Sequence, residues 1–307
     1  MKSLALILSI YFAGLSSIAT AQNSVEKKIV ITGARFTYPL VEKWIKEYKE
    51  ANPAVKVVIE PRTTTDPSKY DLLIEAYESE KVTEDREYLY LGKYAIIPVA
   101  NASSKFAKFY GDKGLTRDLL EQAFFHNLFD SKESDLKAEF TVYTRLQKAG
   151  VPTTFAQYFG FEQEKIKGKG IAGSDEHLIK AVLGDSAGVT YNNPGLLYDL
   201  QKRTVLPGLA IIPVDANDNG HVSKDEKFYD NLDALLTRLE EGSEIKNIPT
   251  EYFHLSIAKH GYNPEALKFL RWVIQNSQED LHAFGFLKPD QKRFNAEKEK
   301  FEQFASK

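Results

Sequence analysis

The sequence predicts an α/β protein of two lobes, and three observations carry that prediction. At 307 residues the chain exceeds the size at which a single core stops growing, so two lobes are the default. Short apolar runs of strand length alternate with stretches of helical period. Gly and Pro punctuate the elements evenly and no low-complexity tether divides the chain, so short crossovers should join the lobes. Charged residues make up 27% and the net charge is -3, which lacks the basic excess that favours a nucleic-acid partner.

The first residues, MKSLALILSIYFAGLSSIATAQ, put Lys2 before an apolar run and end in Ala19-Thr20-Ala21, so 1–21 reads as a signal peptide cut before Gln22. The mature chain is expected to be exported to the periplasm and soluble. It has no Cys, hence no lipid attachment site and no disulfide framework. KKIVITG then reads as a strand, and Pro39 opens PLVEKWIKEYKEANP, where Leu40, Trp44, Ile45 and Tyr48 recur at helical spacing. VKVVIEP, YDLLIEAY and YAIIPVAN continue as strands. TRDLLEQAFF, TTFAQYFGF and SDEHLIKAVLG read as helices, with EFTVYTR, AGVTYN and GLAIIPVD as strands among them. The chain closes with a strand, EYFHLSIAK, and a long helical stretch, NPEALKFLRWVIQNSQEDLHAFGF.

The most specific local signal is DANDNGHVSKDE. Its spacing is that of a calcium loop: side-chain oxygens from Asp215, Asn217 and Asn219, the His221 carbonyl, a water-mediated contact from Ser223, and a bidentate carboxylate from Glu226. Gly220 permits the sharp turn. A strand precedes the loop and EKFYDNLDALLTRLEEG reads as its exit helix, making half an EF-hand that would hold structural calcium. The alternative is a polar turn capping that helix.

GDSAG, Gly184 to Gly188, matches the G-x-S-x-G elbow of hydrolases, but a helical period precedes it and an extended segment follows, the reverse of what Ser186 would need as a nucleophile. No H-x-x-x-H pair offers a zinc site, and His254 and His260 read as packing or surface residues. The chain is not expected to be an enzyme.

The order of these elements, with ITGARFTYPLVEKWIKEYKEANPAVKV, GLTRDLLEQAFF, YTRLQKAGVPTTFAQYF, GIAGSDEHLIKAVLGDSAGVTY and EALKFLRWVIQNSQEDLHAFGFLKP, resembles the phosphate-type periplasmic substrate-binding proteins of ABC transporters. The likeness runs through nearly the whole mature chain. It implies a periplasmic-binding-protein-like fold with a ligand cleft between two lobes, each a mostly parallel sheet flanked by helices. One lobe would hold 27–97 plus 253–307, the other 98–252 with the inserted loop 215–226. It further implies a monomer that carries a small anionic solute, phosphate or a related oxyanion, to an ABC permease.

In that family backbone N–H groups and hydroxyls at helix N-termini, plus one Arg, hold the anion. Thr37 and Tyr38, ahead of Pro39, match its Thr-Phe-Pro type of motif, and Arg145 falls where the family places its Arg. Elsewhere the pattern differs. RTTTD replaces a Ser-Gly-rich turn, leaving Thr63, Thr64 and Thr65 as hydroxyl donors or as local backbone partners. Ile74-Glu75-Ala76 replaces a small-residue stretch. Ala149-Gly150-Val151-Pro152 replaces Gly-Ser-Gly-Thr, with Gly150 kept for the anion and Pro152 lacking an N–H. Glu75 in the cleft would repel a dianion unless it accepts a proton from monohydrogen phosphate or pairs with Arg145. Two functions follow: a receptor for an oxyanion, or a calcium-stabilised scaffold of the same fold that no longer binds phosphate.

Overall fold

The computed structural model describes residues 27–64, 66–77, 85–126, 135–243 and 245–306. The expected signal peptide and Thr65 lie outside the described residues. The apolar run KKIVITG forms β1 (Lys27–Gly33), with Ile29 and Ile31 fully buried. At its end Gly33 has φ +141, and an added Cβ would collide with the Ile74 carbonyl, so only glycine lets the two backbones meet there. Pro39 lies in the first turn of α1 (Tyr38–Ala51), where its missing N–H costs nothing, and the apolar stripe of that helix buries Leu40, Val41, Trp44 and Tyr48.

The remaining strands are β2 (Val55–Ile59), β3 (Leu72–Glu75), β4 (Arg86–Ala95), β5 (Ile97–Asn101), β6 (Thr141–Arg145), β7 (Lys169–Ile171), β8 (Gly188–Asn192), β9 (Leu209–Ile211) and β10 (Thr250–Ala258). They form two five-stranded sheets, ordered β2-β1-β3-β10-β4 and β7-β6-β8-β5-β9. The sheets are mixed rather than mostly parallel. β1 is parallel to β2 and β3, and β6 to β7 and β8, whereas β10 runs antiparallel to β3 and β4, and β5 to β8 and β9. Parallel neighbours need a long crossover. β4 instead runs into β5 through Ile96 alone, and the strands that carry the chain out of and back into the first sheet take the antiparallel direction. Where the chain passes between sheets, the Ile96 N–H donates to the Pro249 carbonyl at 2.9 Å and ties the outgoing segment to the returning one.

The other helices are α2 (Lys105–Lys113), α3 (Arg117–Phe124), α4 (Gly150–Tyr158), α5 (Asp175–Gly184), α6 (Pro194–Leu197), α7 (Leu232–Glu241), α8 (Pro264–Asn276) and α9 (Gln291–Ala305). Ser104, Thr116, Asn231, Asn263 and Asp290 cap α2, α3, α7, α8 and α9 by accepting first-turn N–H groups. One continuous core runs through both sheets, with Tyr48 edge-on to Phe269 at one end and Phe155 stacked on Tyr191, ring centres 4.0 Å apart, at the other. Among the described residues no helix is long and apolar enough to cross a membrane.

Two expected helices differ. The exit helix does not begin at the loop: Lys224–Glu226 form one 3-10 turn, and α7 starts at Leu232 because Asn231 accepts from the N–H groups of Asp233 and Ala234. The long closing helix stops at Asn276 and continues as two 3-10 turns, Ser277–Glu279 and His282–Phe284.

Candidate functional site

Between the sheets lies a cavity of about 450 Å³. Its first wall is the end of β1, the start of α1 and the end of β3, with Arg62; its second is the end of β6, the start of α4, Gly173 and Asp175. The lining carries four basic side chains, Arg35, Arg62, Arg145 and Lys148, against two acidic ones, Glu75 and Asp175. The N-termini of α1, α4 and α5 all open here, which adds partial positive charge. That of α5 is already closed by its own residues, since the Ser174 N–H donates to His177 Nδ1 at 3.1 Å and Asp175 is the first helical residue. No side chain caps α4, whose N-cap is Ala149.

Arg145 ends β6 and turns inward. Its Nη1 donates to Asp175 Oδ1 at 3.0 Å, with the side chains 11% and 8% exposed. Burial pushes the Asp175 carboxyl above its usual value, with the Arg145 guanidinium pulling the other way. Arg145 Nε is buried without a hydrogen-bond partner, so the guanidinium that lines the cleft keeps donor capacity beyond its bond to Asp175.

Glu75 ends β3 and lines the cleft, but its partners are Arg62, with Nη1 3.9 Å from Oε1, and His254, with Nε2 3.7 Å from Oε2. Pairing with Arg145 is therefore not what the structure shows: register sets His254 of β10 opposite Glu75, and Arg145 is taken by Asp175. Oε2 of Glu75 is itself buried without a hydrogen bond. His254 is 1% exposed and lies against the rings of Tyr88 and Tyr90. It is a packing residue, whereas His260 is exposed.

The other expected ligand residues divide. Tyr38 lines the cleft, although its hydroxyl already donates to the Gly33 carbonyl and accepts from the Gly33 N–H, each at 3.1 Å. Thr37 is fully buried behind it and donates to the Ala34 carbonyl at 2.7 Å, so it shapes the turn. Thr64 accepts from the Asp66 N–H in its own loop and does not line the cleft, and Thr63 bonds to Tyr70. Gly150 does line it, and an added Cβ would lie 2.5 Å from Cβ of Ala76 on the opposite wall. Next to this contact the buried Tyr94 hydroxyl donates to the Ala76 carbonyl at 2.7 Å and lies 2.8 Å from Thr154 Oγ1 of α4. The walls thus touch. Sequence reasoning missed Arg35, Arg62, Lys148 and Asp175; only Asp175, opening a helix behind a Gly-Ser pair, carried a local signal.

On the second lobe the run 215–226 curls on itself. Asp215 is fully buried, and its carboxylate accepts from the N–H groups of Asn219 at 3.0 Å and Gly220 at 2.7 Å. Glu226, 2% exposed, accepts from the Asn217 N–H at 3.1 Å and from the N–H and hydroxyl of Ser223 at 2.8 and 2.9 Å. Burial alone would push the Glu226 carboxyl up, but these donors together hold it below its usual value. The His221 N–H donates to Asn219 Oδ1 at 3.2 Å. Ser186 sits in an exposed turn between α5 and β8, the order opposite to a nucleophile elbow.

No family model matches the chain, and no curated protein matches its sequence. Solved structures match it by shape. A putative phosphate ABC transporter substrate-binding protein from Clostridium perfringens, with bound phosphate, superposes at TM-score 0.62 and 12% identity over 86% of this chain and 100% of that one. The chain has the two-lobed fold of periplasmic substrate-binding proteins. An ABC-type phosphate transport receptor from Vibrio cholerae gives TM-score 0.59 and 13% identity over 86% and 100%. A possible phosphate binding protein from Planctomyces limnophilus gives 0.54 and 11% over 92% and 99%. The cavity between the two sheets is the one that gathers Arg145, Glu75 and Gly150.

Proposed function

We propose that the chain is an exported receptor that encloses a small oxyanion, phosphate or a relative, between its lobes and presents it to an ABC permease. The observation that carries this reading is the buried, unpartnered Nε of Arg145 in a cleft that also holds three further basic side chains and the uncapped N-terminus of α4. A guanidinium and helix N–H groups neutralise an oxyanion without a metal. Asp175 fixes the guanidinium while leaving Nε to the ligand. Glu75 lines the same space between Arg62 and His254, without a hydrogen bond to its Oε2, which suits an anion that brings a proton of its own. Such a site favours monohydrogen phosphate over sulfate, because sulfate brings no proton for Glu75 to accept and sets a second negative charge beside it. The fold shared with phosphate receptors and the signal-like first 21 residues support the same reading.

Titration calorimetry on ligand-stripped protein tests it. Heat is expected with phosphate and little with sulfate. No heat with phosphate, sulfate or molybdate would leave the scaffold function, which the existing Arg145–Asp175 pair and the contact between Gly150 and Ala76 favour.

A further inference from the structure

We infer that the loop from Asp215 to Glu226 binds one calcium ion, through side-chain oxygens of Asp215, Asn217, Asn219 and Glu226, the His221 carbonyl, and a water on Ser223. The first support is charge. Asp215 and Glu226 are 0% and 2% exposed, and among the described residues no Lys, Arg or His forms an ion pair with either. Both carboxylates are buried with only N–H and hydroxyl donors against them, so a bound divalent ion would supply the counter-charge that the loop lacks. The second is an orphan oxygen. Asn217 Oδ1, at the third position of the loop, is shut off from solvent and has no hydrogen-bond partner.

The third support is the path of the backbone. Asp215 reaches the N–H groups of Asn219 and Gly220, while Glu226 reaches those of Asn217 and Ser223. These bonds fold the loop back on itself, tying its two buried carboxylates to the backbone between them. Asp218 and Gly220 adopt φ +64 and +92, left-handed turns that close the ring and that cost a non-glycine residue strain at Asp218. Among the described residues no three His, Cys, Asp or Glu side chains gather as a metal cluster, and of the loop's acidic residues only Asp215 and Glu226 are buried to serve as charged ligands. Its remaining donors are amide, carbonyl and hydroxyl oxygens. An all-oxygen set of six or more donors suits calcium, not zinc, and supplies more protein ligands than magnesium, which keeps several waters, ordinarily takes.

The ion would act on the crossover and not in the cleft, since no loop residue lines the cavity between the lobes. Asn247 Nδ2 donates to the Asp215 carbonyl at 2.8 Å and to Asp218 Oδ1 at 3.0 Å, and the Lys246 N–H donates to the Ala216 carbonyl. These residues lead directly into Pro249, where the chain returns to the first sheet. Ordering the loop therefore orders the returning segment.

The test is calcium chloride added to the chelator-treated mature protein, followed by calorimetry and by thermal melting. One site is expected, with Kd on the order of 10⁻⁴ M, and a higher melting temperature in millimolar calcium than in chelator. Asn217→Ala removes only the orphan oxygen, so it should weaken calcium binding at least about tenfold while leaving the chelator-state melting temperature unchanged, a difference of about 1.4 kcal/mol in affinity. Glu226→Gln should abolish the calcium-dependent rise; if that variant does not fold, Asn217→Ala decides. The inference is overturned by a wild-type protein that gives no heat and no shift with calcium chloride, by Asn217→Ala binding calcium as wild type does, or by an equal response to magnesium chloride.

Discussion

Arg145 Nη1 lies 3.0 Å from Asp175 Oδ1, and both side chains are largely buried at the mouth of α5. Part of the charge that the cleft offers an anion is therefore already neutralised from within the protein. Asp175→Asn keeps the shape and removes the competing charge. Phosphate affinity should rise by roughly tenfold or more, the scale of a hydrogen bond to a charged group, as measured by calorimetry. The raised Asp175 carboxyl also has a sign: it binds its proton more tightly folded than unfolded, so its ionisation lowers stability as pH climbs through the interval above its usual value. The Asn variant should lose that part of the pH dependence in urea unfolding.

Removing the other partner has the opposite consequence. Arg145→Leu strands the Asp175 carboxylate in a buried site and should destabilise the fold by about 3 kcal/mol. The double variant Arg145→Leu with Asp175→Leu should regain most of that loss, since neither charge remains. Both should fail to bind phosphate. Urea midpoints and calorimetry on the three proteins separate the stability effect from the binding effect.

Gly150 and Ala76 mark where the walls meet. Gly150→Val places a branched side chain in that contact and should hold the lobes apart. Phosphate affinity should fall by at least about tenfold, since closure no longer encloses the ligand, while the melting temperature of the unliganded protein stays close to wild type. Small-angle scattering of the variant should give a larger radius of gyration than wild type in saturating phosphate.

The Glu226 carboxyl is held below its ordinary value of 4.5 by backbone and hydroxyl donors that outweigh its burial. A depressed carboxyl contributes stability above its unfolded value, and that contribution disappears as pH falls through the lower folded value. In chelator, wild type should be more stable than Glu226→Gln at pH 7. The gap should shrink steadily below about pH 4.5, as followed by urea unfolding at stepped pH.

Much of this architecture was legible because burial writes itself into sequence. The run KKIVITG became β1, the spacing of Leu40, Trp44 and Tyr48 became the buried face of α1, and Arg145, singled out by the family resemblance of YTR, ends β6. What stayed hidden depends on contacts between distant segments. Glu75 meets His254 because β3 and β10 are neighbours in the sheet, which no local spacing records. Arg62 and Asp175 enter the cleft only once the two lobes face each other. The exit helix was placed too early because Asn231 is a stronger start signal than the apolar period before it. α9 went unread because few of its residues are buried, Phe294 and Phe301 among them, so its apolar stripe is thin.

The most direct measurement is a crystal structure of the ligand-stripped protein grown with inorganic phosphate. The anion is expected between the lobes, within hydrogen-bond distance of Arg145 Nε and the first N–H groups of α4, with Glu75 accepting its proton. Phosphate-saturated crystals with an empty cleft, or with the anion bound elsewhere and Arg145 Nε still unpartnered, would contradict it.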